Sequence, residues 1–460
     1  MKRSFLFAAV LAAGALIRLW GLGSESLWHD EAWTWYLVRD SLGDLFHRVT
    51  SEDAHPPLYF LVAWPWVKFG DSEAILRLPS AILGVASLPL VYLLGRKIGG
   101  IGTGLLSMAF IAVSPLHVKY SQEARSYALL FFLCTLSLTL LASIRERPRW
   151  IAIGVLSAAI LYTEYLGAFF LLGEAALLFA WSRRDRMLAR GALRAAVVAL
   201  VLFLPWIPFA FHHVVTVGGG FWMERTSLRV LGSEFARLLA FPYGFVDTLK
   251  TVSWAAFPVA VAVTALLALA AVAMRRRPEL RAWGLLVAIP IAAMAVVGLF
   301  LPIFCARGLI YVLTPLALLA AAGEARWRPM VAALVLLGTL PGVRFFNRSL
   351  ERENWRDAVA HVRKKASPGD IVLVDEGFLE VNVHYYWRDP LRVEILGVGE
   401  RGVSIQEATA RAKTRSSVWI VRRTYFEKEP PSLLASDFPI LSEGHWQHVG
   451  LVHLCRGTER

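Results

Sequence analysis

Two carboxylates stand side by side in Ser26-Leu27-Trp28-His29-Asp30-Glu31-Ala32-Trp33, just beyond the first apolar run of the chain. An acidic pair at the wet mouth of a hydrophobic element suits general-base chemistry: Asp30 or Glu31 can take the proton of an acceptor hydroxyl as it attacks an electrophilic carbon. Such a displacement also needs positive groups to take up charge on a departing phosphate. Lys119, Arg125 and Arg307 lie at or near the ends of later apolar runs, where they can hold a phosphate at a membrane surface. His55, in Asp53-Ala54-His55-Pro56-Pro57-Leu58-Tyr59, is suited to contact substrate or to help bind a cation, and Tyr120 and Glu123 share a polar corner with Arg125.

Each of these residues also has a plainer reading. Asp30 and Glu31 would favour the first turn of an interfacial helix carrying Trp33 and Trp35 without any chemistry. Arg125 and Lys119 would serve as interface anchors, and His55 as a turn residue before a Pro-Pro pair that sets an extended entry into the next helix. Glu164 and Glu174 lie at the end of and within apolar runs, and ionisable groups in such places tend to face a cavity, although for Glu164 a solvated corner is the plainer alternative.

The elements that must position these side chains are membrane helices. Hydrophobic residues make up 57% of the 460 positions and charged residues only 18%, and the mean hydropathy is +0.53, too apolar for a soluble globule. A backbone crossing hydrocarbon must satisfy its own hydrogen bonds, so the crossings are helical and need about 20 apolar residues each. Hydropathy gives about 11 spans. They run at about Ser4 to Gly21, Ile75 to Leu94, Ile101 to Val118, Tyr127 to Ile144, Trp150 to Leu161, Leu166 to Trp181, Ala192 to Phe211, Trp254 to Met274, Trp283 to Ile303, Leu309 to Ala322 and Met330 to Phe346. Pro56 to Phe69 is apolar but short and is read as a re-entrant or interfacial helix. The +13 formal charge comes in short basic clusters between the apolar runs, which is topology information and no sign of nucleic acid. Lys2-Arg3, Arg96-Lys97, Arg145 to Arg149, Arg183 to Arg190, Arg275 to Arg277 and Arg326 to Arg328 all fall on one side, the cytoplasmic side by the positive-inside rule. The N-terminus is then cytoplasmic. The segment Gly23 to Glu73, the corner Tyr120 to Arg125, the loop His212 to Val252 and the tail are extracytoplasmic.

The N-terminal run is followed by Arg18 and Trp20 and shows no small-x-small cleavage site where it ends, so it reads as an uncleaved helix. The three cysteines, Cys134, Cys305 and Cys455, are too scattered for a disulfide framework or a zinc motif. A transmembrane domain over 1–346, whose first outer loop (about 23–73) holds the acid pair, is followed by a soluble α/β domain over 347–460. In this tail, helices at Trp355 to Lys365 and Ile405 to Lys413 alternate with β-rich runs at Ile371 to Val374, Val418 to Val421 and Val449 to Leu454. No GxGxxG or Walker loop marks it as nucleotide-binding.

Four motifs in one order resemble a known family: Leu27-Trp28-His29-Asp30-Glu31, His55-Pro56-Pro57-Leu58-Tyr59, Arg77-Leu78-Pro79-Ser80 and Tyr120-Ser121-Gln122-Glu123-Ala124-Arg125-Ser126-Tyr127. They are similar to those of glycosyltransferase family 39, the protein O-mannosyltransferase-like proteins of the GT-C superfamily. The resemblance covers about the first 130 residues and, through Arg307 to Tyr311, extends more loosely to about residue 345. It implies a polyprenyl-phosphate-sugar donor, an acceptor entering from the extracytoplasmic side, and an acid in the first outer loop as base, the position that falls on Asp30. The loop His212 to Val252 lacks the large insertion of eukaryotic protein mannosyltransferases. The pattern therefore looks more like the bacterial branch, related to lipid-modifying aminoarabinose transferases, in a bacterial or archaeal plasma membrane. There the acceptor is a lipid, glycan or protein. Metal dependence varies across the superfamily and no DxD triad appears, so no metal ligand is assigned and a divalent cation stays open as cofactor. A transporter or flippase of a lipid-linked glycan, which would carry polar residues at mid-membrane on broken helices arranged as repeats, is the competing class. A membrane sensor or scaffold using the tail is a third.

Overall fold

The structure is a computed structural model that describes residues 2–183, 185–217, 224–239, 253–323, 325–334, 353–387, 393–399, 401–415, 417–424, 440–446 and 448–455. The last expected span, Met330 to Phe346, lies outside the described residues beyond 334, as do parts of the expected outer loop His212 to Val252. The chain forms two compact units. One comprises Met1–Leu22, Ser41–Phe69 and Arg77–Arg348; the other comprises Gly23–Asp40, Gly70–Leu76 and Ser349–Arg460.

The first unit is helical. Among the described residues, three helices are long and apolar enough to cross a membrane: Glu73–Gly99, Arg186–Val215 and Pro278–Val297. Shorter apolar helices include Tyr127–Leu141, Trp150–Thr163, Gly167–Ser182 and Arg307–Ala321. The first helix, Lys2–Leu19, carries Lys2, Arg3 and Arg18 within its 18 residues, which lowers its apolar character. Small residues let the helices approach closely. A Cβ on Gly95 would lie 2.8 Å from Gly104 Cα, and one on Gly154 would lie 2.5 Å from the Ala195 carbonyl. Pro56 to Phe69 forms a short helix, Leu58–Ala63, and a single 3-10 turn, Trp66–Phe69.

The expected continuous span Ile101 to Val118 is broken instead. The helices Ile101–Val113 and Pro115–Ser121 meet at 63°. Pro115 cannot donate to the preceding turn, and Ser114 takes the extended conformation (φ −62°, ψ 118°) that a following proline favours. Buried Arg18 spans the break: it donates to the Ile111 and Ala112 carbonyls, both at 2.9 Å, and contacts His117 Nδ1 at 2.7 Å. In return the Gln122 amide donates to the Ile17 carbonyl at 2.9 Å and the Trp20 carbonyl at 3.1 Å, closing the end of the first helix. These bonds fix the corner that carries Lys119 to Arg125.

The second unit is built on a five-stranded mixed sheet of order β2-β1-β3-β5-β4. Its strands are β1 (Ile371–Asp375), β2 (Glu394–Val398), β3 (Ser417–Arg423), β4 (Ile440–Trp446) and β5 (Val449–Cys455). β1 runs parallel to β2 and β3, while β5 runs antiparallel to β3 and β4. Alternation along the strands sends Val372, Val374, Trp419, Val421 and Leu451 to one face, where they pack with Trp355, Val359, Val362, Leu379 and Val383 from the helices Trp355–Lys365 and Glu380–Tyr386. Ile371, Leu373, Val418, Ile420 and Leu454 face the other way, onto Ala408 and Ala412 of the helix Ile405–Ala412. The helix His29–Val38 belongs to this unit.

Candidate functional site

The candidate residues divide between the two units. In the first unit, Asp53 accepts the backbone N–H of His55 at 2.6 Å, the side-chain-to-backbone link that an aspartate two residues ahead readily makes. The same oxygen lies 2.7 Å from His55 Nδ1, and Arg125 Nη2 lies 3.0 Å from His55 Nε2. A guanidinium only donates, so Nε2 must present its lone pair and Nδ1 must carry the hydrogen that Asp53 accepts. The imidazole is thereby held in one tautomer between a carboxylate and a guanidinium. Burial works to raise the Asp53 carboxyl, but the His55 ring, its hydrogen bonds and the Arg125 charge outweigh it and hold the group well below the usual carboxylate range. Arg125 is itself only 4% exposed, which does not suit an anchor that must snorkel to the interface. Its carbonyl accepts from Ser80 at 3.3 Å, and Ser80 is hydrogen-bonded to Tyr59 at 2.9 Å, so the Arg77-Leu78-Pro79-Ser80 and His55-to-Tyr59 motifs converge on it.

The rest of the corner gathers beside Arg125. Lys119 and Glu123, one helical turn apart and both buried, form an ion pair at 3.6 Å. The Tyr120 and Tyr127 rings meet edge-on at 4.7 Å, with the Arg307 guanidinium 5.7 Å from the Tyr127 centroid. Ser126 donates to buried Glu164 at 3.2 Å, and Ser137 donates to Glu174 at 2.6 Å. Among the described residues no group of three or more His, Cys, Asp and Glu is arranged to hold a metal ion.

In the second unit, Asp30 and Glu31 occupy the first turn of the helix His29–Val38, where the helix dipole favours negative charge. Glu31 is fully buried on the inner side with Ala32, Thr34, Leu37 and Val38, whereas Asp30 is partly exposed. His29 Nδ1 lies 3.2 Å from the Asn382 side-chain oxygen, and its ring meets Phe378 edge-on at 5.0 Å. Burial pushes the Glu353 carboxyl up against the pull of its hydrogen bond to Trp355, and the nearby Asp30 charge adds to the rise.

The first unit thus brings together His55, Lys119, Tyr120, Glu123, Arg125 and Arg307, while Asp30 and Glu31 belong to the second. Sequence reasoning assigned no role to Asp53, although its place two residues before His55 was a usable signal. It also passed over Tyr386, Arg356 and Asn382, which lie more than 300 positions from the segment they hold and leave no local pattern.

Residues 54–209 match the family described as dolichyl-phosphate-mannose-protein mannosyltransferase. No curated protein matches the chain by sequence. Among solved structures, ArnT from Cupriavidus metallidurans in the apo state superposes with a TM-score of 0.64 at 13% identity, covering 98% of each chain. The same protein bound to undecaprenyl phosphate gives 0.58 at 14% identity, over 98% of this chain and 97% of that one. The Archaeoglobus fulgidus oligosaccharyltransferase tethered to an acceptor peptide gives 0.56 at 12% identity, over 92% of this chain and 69% of that one. The chain has the fold of these solved structures, and the stretch that matches the mannosyltransferase family holds three of the four ordered motifs, from His55 to Tyr127.

Proposed function

We propose that the chain transfers a monosaccharide from a polyprenyl-phosphate donor to an acceptor hydroxyl on the extracytoplasmic side of the membrane. The observation that carries this reading is the Asp53–His55–Arg125 chain, in which Asp53 and Arg125 are buried, lying almost wholly within the stretch that matches the mannosyltransferase family. An arginine fixed through a histidine is preorganised to meet phosphate oxygens, which costs no reorganisation when charge develops there. One of the similar structures holds undecaprenyl phosphate, a ligand of the class proposed here.

In the reaction, the acceptor oxygen forms a bond to the anomeric carbon as the bond from that carbon to the donor phosphate breaks. Asp30 takes the acceptor proton and the phosphate oxygen keeps the bonding electrons. A single displacement inverts the anomeric centre. Partial exposure favours Asp30 over buried Glu31 as the base, since a base must reach the proton it removes. Arg125, assisted by Arg307 and Lys119, takes up the phosphate charge. Eleven spans, a cytoplasmic N-terminus and an extracytoplasmic tail complete the reading, supported by the six basic clusters that share one side. Cofactor, sugar and acceptor are left unassigned.

The purified chain in lipid, given a polyprenyl-phosphate sugar and a hydroxyl acceptor, should release polyprenyl phosphate in step with product. A transporter would move the donor without breaking it, so intact donor after many equivalents of translocation would overturn the proposal.

A further inference from the structure

The segment that delivers the acid pair is tied to distant parts of the chain. The helix His29–Val38 begins after Trp28, which provides no side-chain cap. Its start is held by residues from the far end of the chain. The Tyr386 hydroxyl accepts the Leu27 N–H at 2.7 Å and the Ser26 hydroxyl at 3.1 Å, and donates to Glu73 at 3.1 Å, which uses its full hydrogen-bonding capacity. Arg356 donates to the Gly23 carbonyl at 3.0 Å, the Ser24 carbonyl at 3.1 Å and Glu73 at 2.8 Å, and its backbone N–H donates to Ser26 at 3.2 Å. Tyr385 adds a bond of 2.6 Å to the Asp71 carbonyl and an edge-on contact with Trp35 at 5.1 Å. Arg356 and Tyr386 are rigid mounts because their neighbours Trp355 and Val383 are fully buried against the sheet.

Resting on the reading of Asp30 as the base, we propose that the C-terminal domain is the positioning element of the acid pair, with Tyr386 and Arg356 as positioning residues. The sheet holds the two helices, the helices hold residues 23–27, and these set where the first turn of His29–Val38 begins. A misplacement of about 1 Å at a reacting group can cost about 100-fold in rate without loss of binding.

The test uses the full chain in lipid and reads two quantities. Amide hydrogen exchange over residues 24–36 should quicken several-fold in Tyr386→Phe and Arg356→Ala, with β1 protection unchanged. In the same variants kcat should fall about 10- to 100-fold while donor KM stays within about twofold. Arg356→Lys, which keeps the charge but loses the fork, should fall between wild type and Arg356→Ala. Ser26→Ala removes one link from the loop side and supplies the same test should Tyr386→Phe fail to fold. Unchanged exchange with wild-type kcat in these variants would overturn the proposal, as would a rise in donor KM in place of the fall in kcat. Because exchange does not depend on chemistry, quickened exchange combined with full turnover in Asp30→Asn would sink the base assignment and leave the positioning intact.

Discussion

The charged corner around Arg125 and the acid-bearing segment are assembled in opposite ways. The corner is a set of charges that hold one another: Asp53 to His55 to Arg125, and Lys119 to Glu123, mostly within a few residues or one helical turn. The acid-bearing segment is held through its backbone and through Ser26 and His29, by Tyr386, Arg356 and Asn382. Charges that grip a phosphate can also stabilise their own neighbourhood, because pairing and preorganisation ask for the same contacts.

Four measurements press on this contrast. The largest effect should follow Asp30→Asn, which keeps size and loses basicity: turnover should drop about 10²- to 10⁴-fold with the melting temperature almost unchanged. Near-normal turnover would move the base to Glu31. Next, Glu123→Gln should leave the buried Lys119 charge without its carboxylate partner and cost about 3–5 kcal/mol in stability, read by denaturation in detergent. A change below about 1 kcal/mol would mean that the pair contributes as little as a surface one. Third, Arg125→Lys should weaken donor use about 10- to 100-fold and Arg125→Ala more, in keeping with about 1.5–3 kcal/mol for a charged hydrogen bond. Equal, near-wild-type values for both would return Arg125 to the role of interface anchor.

The smallest effect concerns acid. The folded-state pKa of Asp53 is depressed, so its stabilising contribution is present above the ordinary carboxylate value and is lost as pH falls toward the depressed one. The stability difference between wild type and Asp53→Asn should therefore be constant near neutrality and begin to shrink below about pH 4. A difference that grows with acid would show that the cluster is held together some other way.

Much of the corner was legible in the sequence because its parts are chemically distinctive, although the contact between His55 and Arg125 spans 70 positions. Tyr120 to Tyr127 reads as a polar interruption between apolar runs, and His-Pro-Pro marks the entry to a short helix. The break at Ser114-Pro115 was not anticipated, although a proline inside an apolar run was the available warning. In the tail, Trp355–Lys365, β1, β3 and β5 follow from plain periodicity, whereas β2 and β4 were missed. Glu394-Ile-Leu-Gly-Val and Ile440-Leu-Ser-Glu-Gly-His-Trp each contain a glycine and a charge, and only pairing with β1 and β5 makes strands of them. The grouping of residues 23–40 with the tail rests on contacts across hundreds of positions, which no local pattern encodes.

That last separation has a consequence for biosynthesis. Leu27 and Tyr386 are 359 residues apart, so at about 5–20 residues per second the acid-bearing helix waits roughly 20–70 s on the ribosome before its partners exist. For that interval the early helices can insert while the acid-bearing helix lacks its contacts with Tyr386. On the proposed positioning role, a nascent chain released before about residue 386 would carry the corner around Arg125 without an oriented acid pair.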